Sequence, residues 1–381
     1  MSGPIYPISS AAEADADSLW IDDVQLLCVR LPLVSPFETS LGVLYEKEAV
    51  IVRLRCGEFL GWGEVAAWPE PWFSEETVAT ALYVLERYLG PSLLKRGDLE
   101  TMRNSVRGHP MAKAGLEAAF LDLVGKLLGR SLAAVLGGAP TPVPVGISVG
   151  IQATLKDLSR IVDASLSRGY RRIKIKIRPG WDVEPIRQLR TLFGEFDLSV
   201  DANGAYGRPD IDRLREFDEF ELSMLEQPFE PNDLPAHASL QRITRTPICL
   251  DESVRDARGL EVAAALGAGR IVNIKPGRVG GLRQAGAVQN LADEINVDTF
   301  CGGMLETGIG RAANLAFASL TGGRIAHDLS PSGRYFERDL IDPPIEMTDG
   351  GYVEVPSGPG IGVAVDEAWL RDLLVGSRSL P

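Results

Sequence analysis

Six side chains able to do acid, base or metal chemistry stand at regular steps through the middle of the chain. KIK supplies Lys174 and Lys176, VDAN supplies Asp201, MLEQP supplies Glu226, CLDES supplies Asp251 and VNIKP supplies Lys275. From Lys176 to Asp201, Glu226, Asp251 and Lys275 the steps are 25, 25, 25 and 24 residues. Three carboxylates packed together repel one another unless a cation neutralises them. A set of hard oxygen donors without histidine or cysteine favours Mg²⁺ over zinc. Lys174 and Lys176, two apart in a strand, face the same side. Crowding their ammonium groups is expected to lower the pKa of at least one and to make it a base near neutral pH. With Lys275 approaching from across the site, two lysines would flank a metal-bound substrate. Such a constellation suits removal of a proton α to a carboxylate, because the enolate needs positive charge on its oxygens.

Each motif also has a plainer reading. An Asp at a strand end often caps the next helix, a KIK strand can be a solvated edge, and Lys275 before Pro276 can be a simple strand terminus. None of these explains one interval kept from Lys176 to Lys275.

The elements that would position these residues follow from the interval. A βα unit of an eightfold barrel takes about 30 residues, so each step delivers one ionisable group to the same end of successive parallel strands. Eight strand patterns, VGISV, IKIKI, LSVDAN, LSMLEQP, PICLDES, RIVNIKP, VDTFCGG and RIAHDLS, run from about residue 143 to 330. Between them lie helical patterns, among them one starting near Thr154, DIDRLREF and GLEVAAAL. Strands alternating with helices predict a parallel α/β barrel over 141–342, with its site at the strands' C-terminal ends.

The region 19–140 predicts a separate α+β unit. VQLLCVRLPL, AVIVRLRC and FLGWGEV read as antiparallel strands, and SPFETSLGVLYEKE between the first two reads as a loop. A second loop, AAWPEPWFSEET, carries aromatic residues that either fold back on the unit or close over an apolar ligand. Helices follow, one beginning at Ser74 or Thr77 and one over MAKAGLEAAFLDLVGKLLG. Residues 343–381 lose the βα rhythm and are expected to pack back on the opening unit. Residues 1–18, with no Lys, Arg or long apolar run, are expected to form a loose tail and not a secretory signal.

Composition limits the alternatives. A net charge of −13 over 381 residues argues against nucleic acid and anionic membranes as partners. With 45% hydrophobic and 24% charged residues the chain is an ordinary globular protein. No stretch approaches the roughly 20 apolar residues of a membrane span. Cys28, Cys56, Cys249 and Cys301 show no CxxC pairing, which fits reduced structural cysteines and a cytoplasmic location.

On GYRRIKIKI, VDAN, EQP, LDES, NIKPGRVGG and CGGMLETGIGRAANLA, the chain resembles the enolase superfamily. Within its muconate-lactonising subgroup it is similar to the o-succinylbenzoate synthase and N-succinylamino acid racemase family, over roughly residues 20 to 370. The resemblance implies a (β/α)₇β barrel, TIM-like, under an α+β capping domain. It implies Asp201, Glu226 and Asp251 as ligands of Mg²⁺, for which Mn²⁺ or another divalent ion can substitute. Lys176 and Lys275 would be catalytic with Lys174 beside them. Asn203, Glu252, Gly303, Met304 and Glu306 would support the substrate. The segments around Phe37 and Ser40 and around Trp72 would be mobile loops closing over it, Trp72 being bulkier than the residue common in relatives. The implied reactions are the dehydration of 2-succinyl-6-hydroxy-2,4-cyclohexadiene-1-carboxylate to 2-succinylbenzoate, a menaquinone-pathway step, and the racemisation of N-succinylamino acids. The partners would be a small carboxylate with a succinyl or acyl group and further copies of the chain in a homo-oligomer.

A dipeptide epimerase or cycloisomerase of the same superfamily is the nearest alternative. A Schiff-base aldolase could use Lys275 to form an imine, but it leaves the three acids without a role. A barrel retained only for binding would be expected to lose one of the chemical residues, and all are present.

Overall fold

The computed structural model describes residues 19–94 and 98–380. The expectation for residues 1–18 lies outside them. Strands β1 (Asp23–Glu38), β2 (Val43–Cys56) and β3 (Phe59–Val65) form an antiparallel meander. Alternation of buried and exposed positions along β1 gives the sheet one face toward the core. The stretch expected as a loop between β1 and β2 is mostly strand. Pairing shifts register between Pro32 and Phe37 and resumes at Phe37 with Leu44 and Glu38 with Val43. Two prolines in PLVSP cannot donate to the ladder, which accounts for the interruption. The true hairpin tip is the four residues 39–42.

The helix Pro110–Leu127 lies against β3 and is buried on nearly all sides, with the sheet on one side and barrel helices on others. The close approach depends on glycine: a Cβ at Gly63 would stand 2.1 Å from the carbonyl oxygen of Gly115. The preceding helix, Val78–Val84, is capped by the hydroxyl of Thr77 and not by Ser74.

A short strand β4 (Val143–Pro144) leads into the barrel. Strands β5 (Ile147–Val149), β6 (Ile173–Lys176), β7 (Leu198–Asp201), β8 (Leu225–Glu226), β9 (Ile248–Leu250), β10 (Ile271–Ile274) and β11 (Asp298–Cys301) pair in parallel, each with its neighbour in the chain. The register sets Lys176 beside Asp201 and Asp201 beside Glu226. The eighth strand pattern, RIAHDLS, does not form a regular strand. It closes the ring through a single parallel bridge between Val145 and His327. Hydrogen bonds from Asp328 N to Cys301 O (3.0 Å) and from Gly146 N to His327 O (2.8 Å) complete the junction. Pro144 on the neighbouring segment offers no N–H, which keeps this junction short.

The last part of the chain divides. β12 (Ile341–Asp342) pairs with β15 (Ala364–Val365), and β13 (Met347–Thr348) and β14 (Tyr352–Val353) extend β4 at the barrel entrance. The segment also returns to the opening unit: Leu132 N donates to Gly360 O at 2.6 Å, Ile361 N donates to Asp122 Oδ1 at 2.7 Å, and β16 (Leu374–Leu380) pairs antiparallel to β1 at the edge of its sheet.

His327 at the closing bridge is fully buried and accepts the Cys301 N–H on Nδ1 at 2.9 Å. Burial, helped by the charge of Arg172, pushes its pKa down to about 3. The unfolded chain takes up a proton near pH 6.5 that the folded chain refuses until about pH 3, so this group's contribution is complete above that window and is lost within it as pH falls. Unfolding free energy of the wild type should therefore rise with pH between about 3.5 and 6 more steeply than that of His327→Asn, by up to one proton's worth of slope. Equal slopes in urea titrations of the two proteins would contradict this.

Candidate active site

Both lysines of β6 are buried and converge on the next strand's acid. Lys176 Nζ donates to Asp201 Oδ2 and to Asn203 Oδ1, each at 2.7 Å. Lys174 Nζ lies 2.7 Å from Glu226 Oε2 and 3.4 Å from Asp201 Oδ2. Lys275, just beyond β10, donates to Asp251 Oδ2 at 2.6 Å. In the ring, β6 and β10 are the second and sixth of eight positions, so Lys176 and Lys275 face each other across the barrel mouth.

Neighbours hold these groups in turn. Asn203, at a left-handed φ of 44°, presents its Nδ2 to Glu252 Oε1 at 2.9 Å. Asn273 Nδ2 donates to Glu226 Oε1 at 2.7 Å, and the Arg278 guanidinium stands 3.0 Å from Asp251 Oδ1. Burial raises the carboxyls of Glu226 and Glu252 to about 7, with the charges of Asp201 and Asp251 respectively adding to it. Burial also works against the Asp201 carboxylate, but Lys176 and Lys174 outweigh it and hold Asp201 well below the usual range.

The expectation that crowding lowers a lysine pKa fails for Lys174. Burial pulls it down, yet Asp328, Glu226 and Asp201 together raise it well above the ordinary value. Lys275 is likewise raised, burial being overcome chiefly by Asp251. For Lys174 and Lys275 the carboxylates in direct contact, at 2.5–2.7 Å, outweigh both burial and neighbouring cations.

The carboxylates of Asp201, Glu226 and Asp251 each give an oxygen to a lysine, so they do not gather around one point. Among the described residues no group of three Asp, Glu, His or Cys side chains is arranged to hold an ion. The donor chemistry nonetheless fits a hard divalent cation: all donors are carboxylate oxygens, on or directly after three consecutive strands.

A cavity of about 610 Å³, including its open mouth, lies over these residues. Lys174, Lys176, Asn203 and Lys275 line its floor, and Gly303, Met304 and Leu305 form one wall. The capping unit contributes Phe37, Thr39, Leu41, Trp68 and Phe73. Of the residues expected at this surface, four do other work, Glu252 among them as the acceptor for Asn203. Ser40 does not line the cavity; its Oγ donates to Ala202 O at 2.9 Å and ties the hairpin tip to the barrel mouth. Trp72 is 43% exposed, and its ring lies over Gly42, where any Cβ would stand 2.5 Å from it. The aromatic contribution of that loop comes from Trp68 and Phe73, with ring centroids 5.8 Å apart. Glu306 points away from the cavity, accepting from Met304 N at 2.7 Å and Asn314 Nδ2 at 3.0 Å.

One functional residue escaped the sequence reading. Asp328, in RIAHDLS, lies 2.5 Å from Lys174 Nζ and 2.9 Å from the buried Arg172 guanidinium, and it lines the cavity. Its signal was present, an acid on the eighth strand pattern 27 residues after Cys301.

Comparison with known proteins identifies the family. Residues 21–137 match the N-terminal domain of mandelate racemase / muconate lactonizing enzyme, and residues 157–369 match the enolase C-terminal domain-like family. An o-succinylbenzoate synthase from Geobacillus stearothermophilus is 44% identical over 352 residues, 91% of this chain and 94% of that one. The chain belongs to the o-succinylbenzoate synthase and N-succinylamino acid racemase family of the enolase superfamily. An N-succinylamino acid racemase from Amycolatopsis is 43% identical over 368 residues, 94% of this chain and 100% of that one. The crystal structure of an enolase superfamily member from Listeria innocua superposes with a TM-score of 0.89 at 35% identity, covering 95% of this chain and 99% of that one. Membership implies that a divalent metal is bound.

Removing Asp328 leaves Lys174 and Arg172 buried with less compensating charge. Asp328→Ala should cost about 3–5 kcal/mol of stability, read from urea unfolding. A loss below about 1 kcal/mol would show that the pairing with Asp328 is unimportant.

Proposed function

We propose that the protein is a divalent-metal-dependent enzyme that removes the proton α to a substrate carboxylate, acting as an o-succinylbenzoate synthase, an N-succinylamino acid racemase or both. The observation that carries this is the placement of Lys176 and Lys275 on opposite sides of one cavity, each against a buried carboxylate. Family membership and relatives of both activities at 43–44% identity support it.

Asp201, Glu226 and Asp251 would hold the ion, Mg²⁺ by preference, with Mn²⁺ able to replace it. When bound, such a cation would supply the positive charge that an enolate requires. Asn203 positions Lys176 through its Oδ1, so the Lys176 amine is aimed at the substrate α-carbon. In the synthase reaction Lys176 takes the α-proton and returns it to the departing hydroxyl, giving water and 2-succinylbenzoate. Lys275 stays protonated and stabilises the enolate by charge. In racemisation the proton leaves to one lysine and arrives from the other on the opposite face, so the configuration inverts. Phe37, Trp68 and Phe73 cover the cavity and exclude water from it.

Among the described residues no helix is long and apolar enough to cross a membrane. We place the enzyme in the cytoplasm, on its unpaired cysteines, and expect a homo-oligomer.

Purified protein should convert the cyclohexadiene carboxylate, N-succinylamino acids or both when Mg²⁺ is present. A tenfold difference in kcat/KM between the two corresponds to about 1.4 kcal/mol of transition-state preference. Lys176→Ala and Lys275→Ala should each lower kcat by about 10²–10⁴-fold while circular dichroism is unchanged. Dialysis against EDTA should abolish turnover and Mg²⁺ or Mn²⁺ should restore it. Full activity after exhaustive chelation would sink the proposal.

A further inference from the structure

Below the Met304 wall of the cavity lies a charged cluster that the proton chemistry does not use. Lys47 on β2 and Glu64 on β3 belong to the capping unit, and Glu306 belongs to the barrel; they are 3%, 6% and 3% exposed. Lys47 Nζ donates to Met304 O at 3.4 Å; burial pulls its pKa down, and the charges of Glu64 and Glu306 offset only part of that. Glu306 Oε2 accepts the Met304 N–H at 2.7 Å, while Oε1 is anchored by Asn314 at 3.0 Å. Glu64 accepts from Thr307 N (2.9 Å), Thr307 Oγ1 (2.7 Å) and Gly310 N (3.2 Å) at the start of the helix Gly308–Ala318.

Both backbone polar groups of Met304 are thus fixed by this cluster. The next residue, Leu305, sits at φ 60°, a left-handed conformation that a branched side chain adopts only under constraint. Met304 and Leu305 both line the cavity. A buried lysine is costly unless its partners are in place, so Lys47 reports to this wall whether the capping unit is docked on the barrel.

We infer that Lys47 and Glu306 are positioning residues: they fix the Met304–Leu305 wall against the substrate and couple the docking of the capping unit to substrate affinity. The inference rests on the proposed α-proton chemistry for its kinetic consequence only; the placement of the wall can be read without turnover.

Lys47→Met should raise KM for a bulky substrate such as N-succinylphenylalanine by about tenfold with kcat within about threefold, which is the signature of lost uniform binding. Lys47→Arg should restore part of the affinity. Hydrogen exchange at the amides of 303–306 should accelerate at least tenfold in Lys47→Met, with exchange in β6 to β10 unchanged. If that variant does not fold, Glu306→Gln retains the shape but loses one of the two accepting contacts, and it should show the same local acceleration. Exchange that accelerates everywhere together, or nowhere, overturns the inference, as does a fall in kcat at constant KM. A wild type that turns over neither substrate class sinks the proposed function, and the exchange experiment still decides the positioning role.

Discussion

Charge balance inside the barrel mouth is the constraint on which the rest depends. Asp201, Glu226, Asp251 and Glu252 are buried together with Lys174, Lys176, Lys275, Arg172 and Arg278, and the half-buried Asp328 stands against Lys174 and Arg172. Taking one ionised group out of water without a partner costs several kcal/mol, so the set is tolerable only because acids and bases interleave at contact distance. The parallel register supplies that interleaving, since it brings Lys176, Asp201 and Glu226 side by side on adjacent strands. The same proximity fixes protonation: carboxylates raise Lys174 and Lys275, and burial with neighbouring acids raises Glu226 and Glu252.

Rigidity and selectivity are assigned to different parts of the molecule. Lys174, Lys176, Asp201 and Glu226 stand on short buried strands, and Asp251 and Lys275 directly follow theirs, which suits groups that must be held closely for proton transfer. The cavity's apolar cover comes instead from the hairpin tip and the Trp68–Phe73 loop of the capping unit. Loops of this kind tolerate change without disturbing a core, so substrate preference can shift while the proton chemistry remains.

The two units are joined by polar contacts placed close to the site. Ser40 donates to Ala202 O, Ile151 N donates to Glu38 O at 2.9 Å, and Glu64 caps a barrel helix. Each couples the position of the cover to the strands beneath it. Lys47 and Glu306, each bonded to the backbone of Met304, extend this coupling to the Met304 wall.

What the sequence determined by itself was the barrel and its set of acids and lysines. A βα repeat has a nearly fixed length, and strand ends recur with it, so an interval of 25 residues places Asp201, Glu226 and Asp251 at one rim without knowledge of any long-range contact. The signal weakened where local rules do not hold. The eighth strand was visible as RIAHDLS, but its collapse to a single bridge and the pairing of Asp328 with Lys174 depend on closing the ring across 154 residues of chain, as the Arg172–Ala326 contact shows. Which aromatic of the Trp68–Phe73 loop meets the cavity, Ser40 serving as a tie and not a wall, and the hold of Lys47 on Met304 O 257 residues away were likewise decided only by tertiary structure. Periodicity reports which face of an element is buried. It carries no information about which distant side chain will be waiting there.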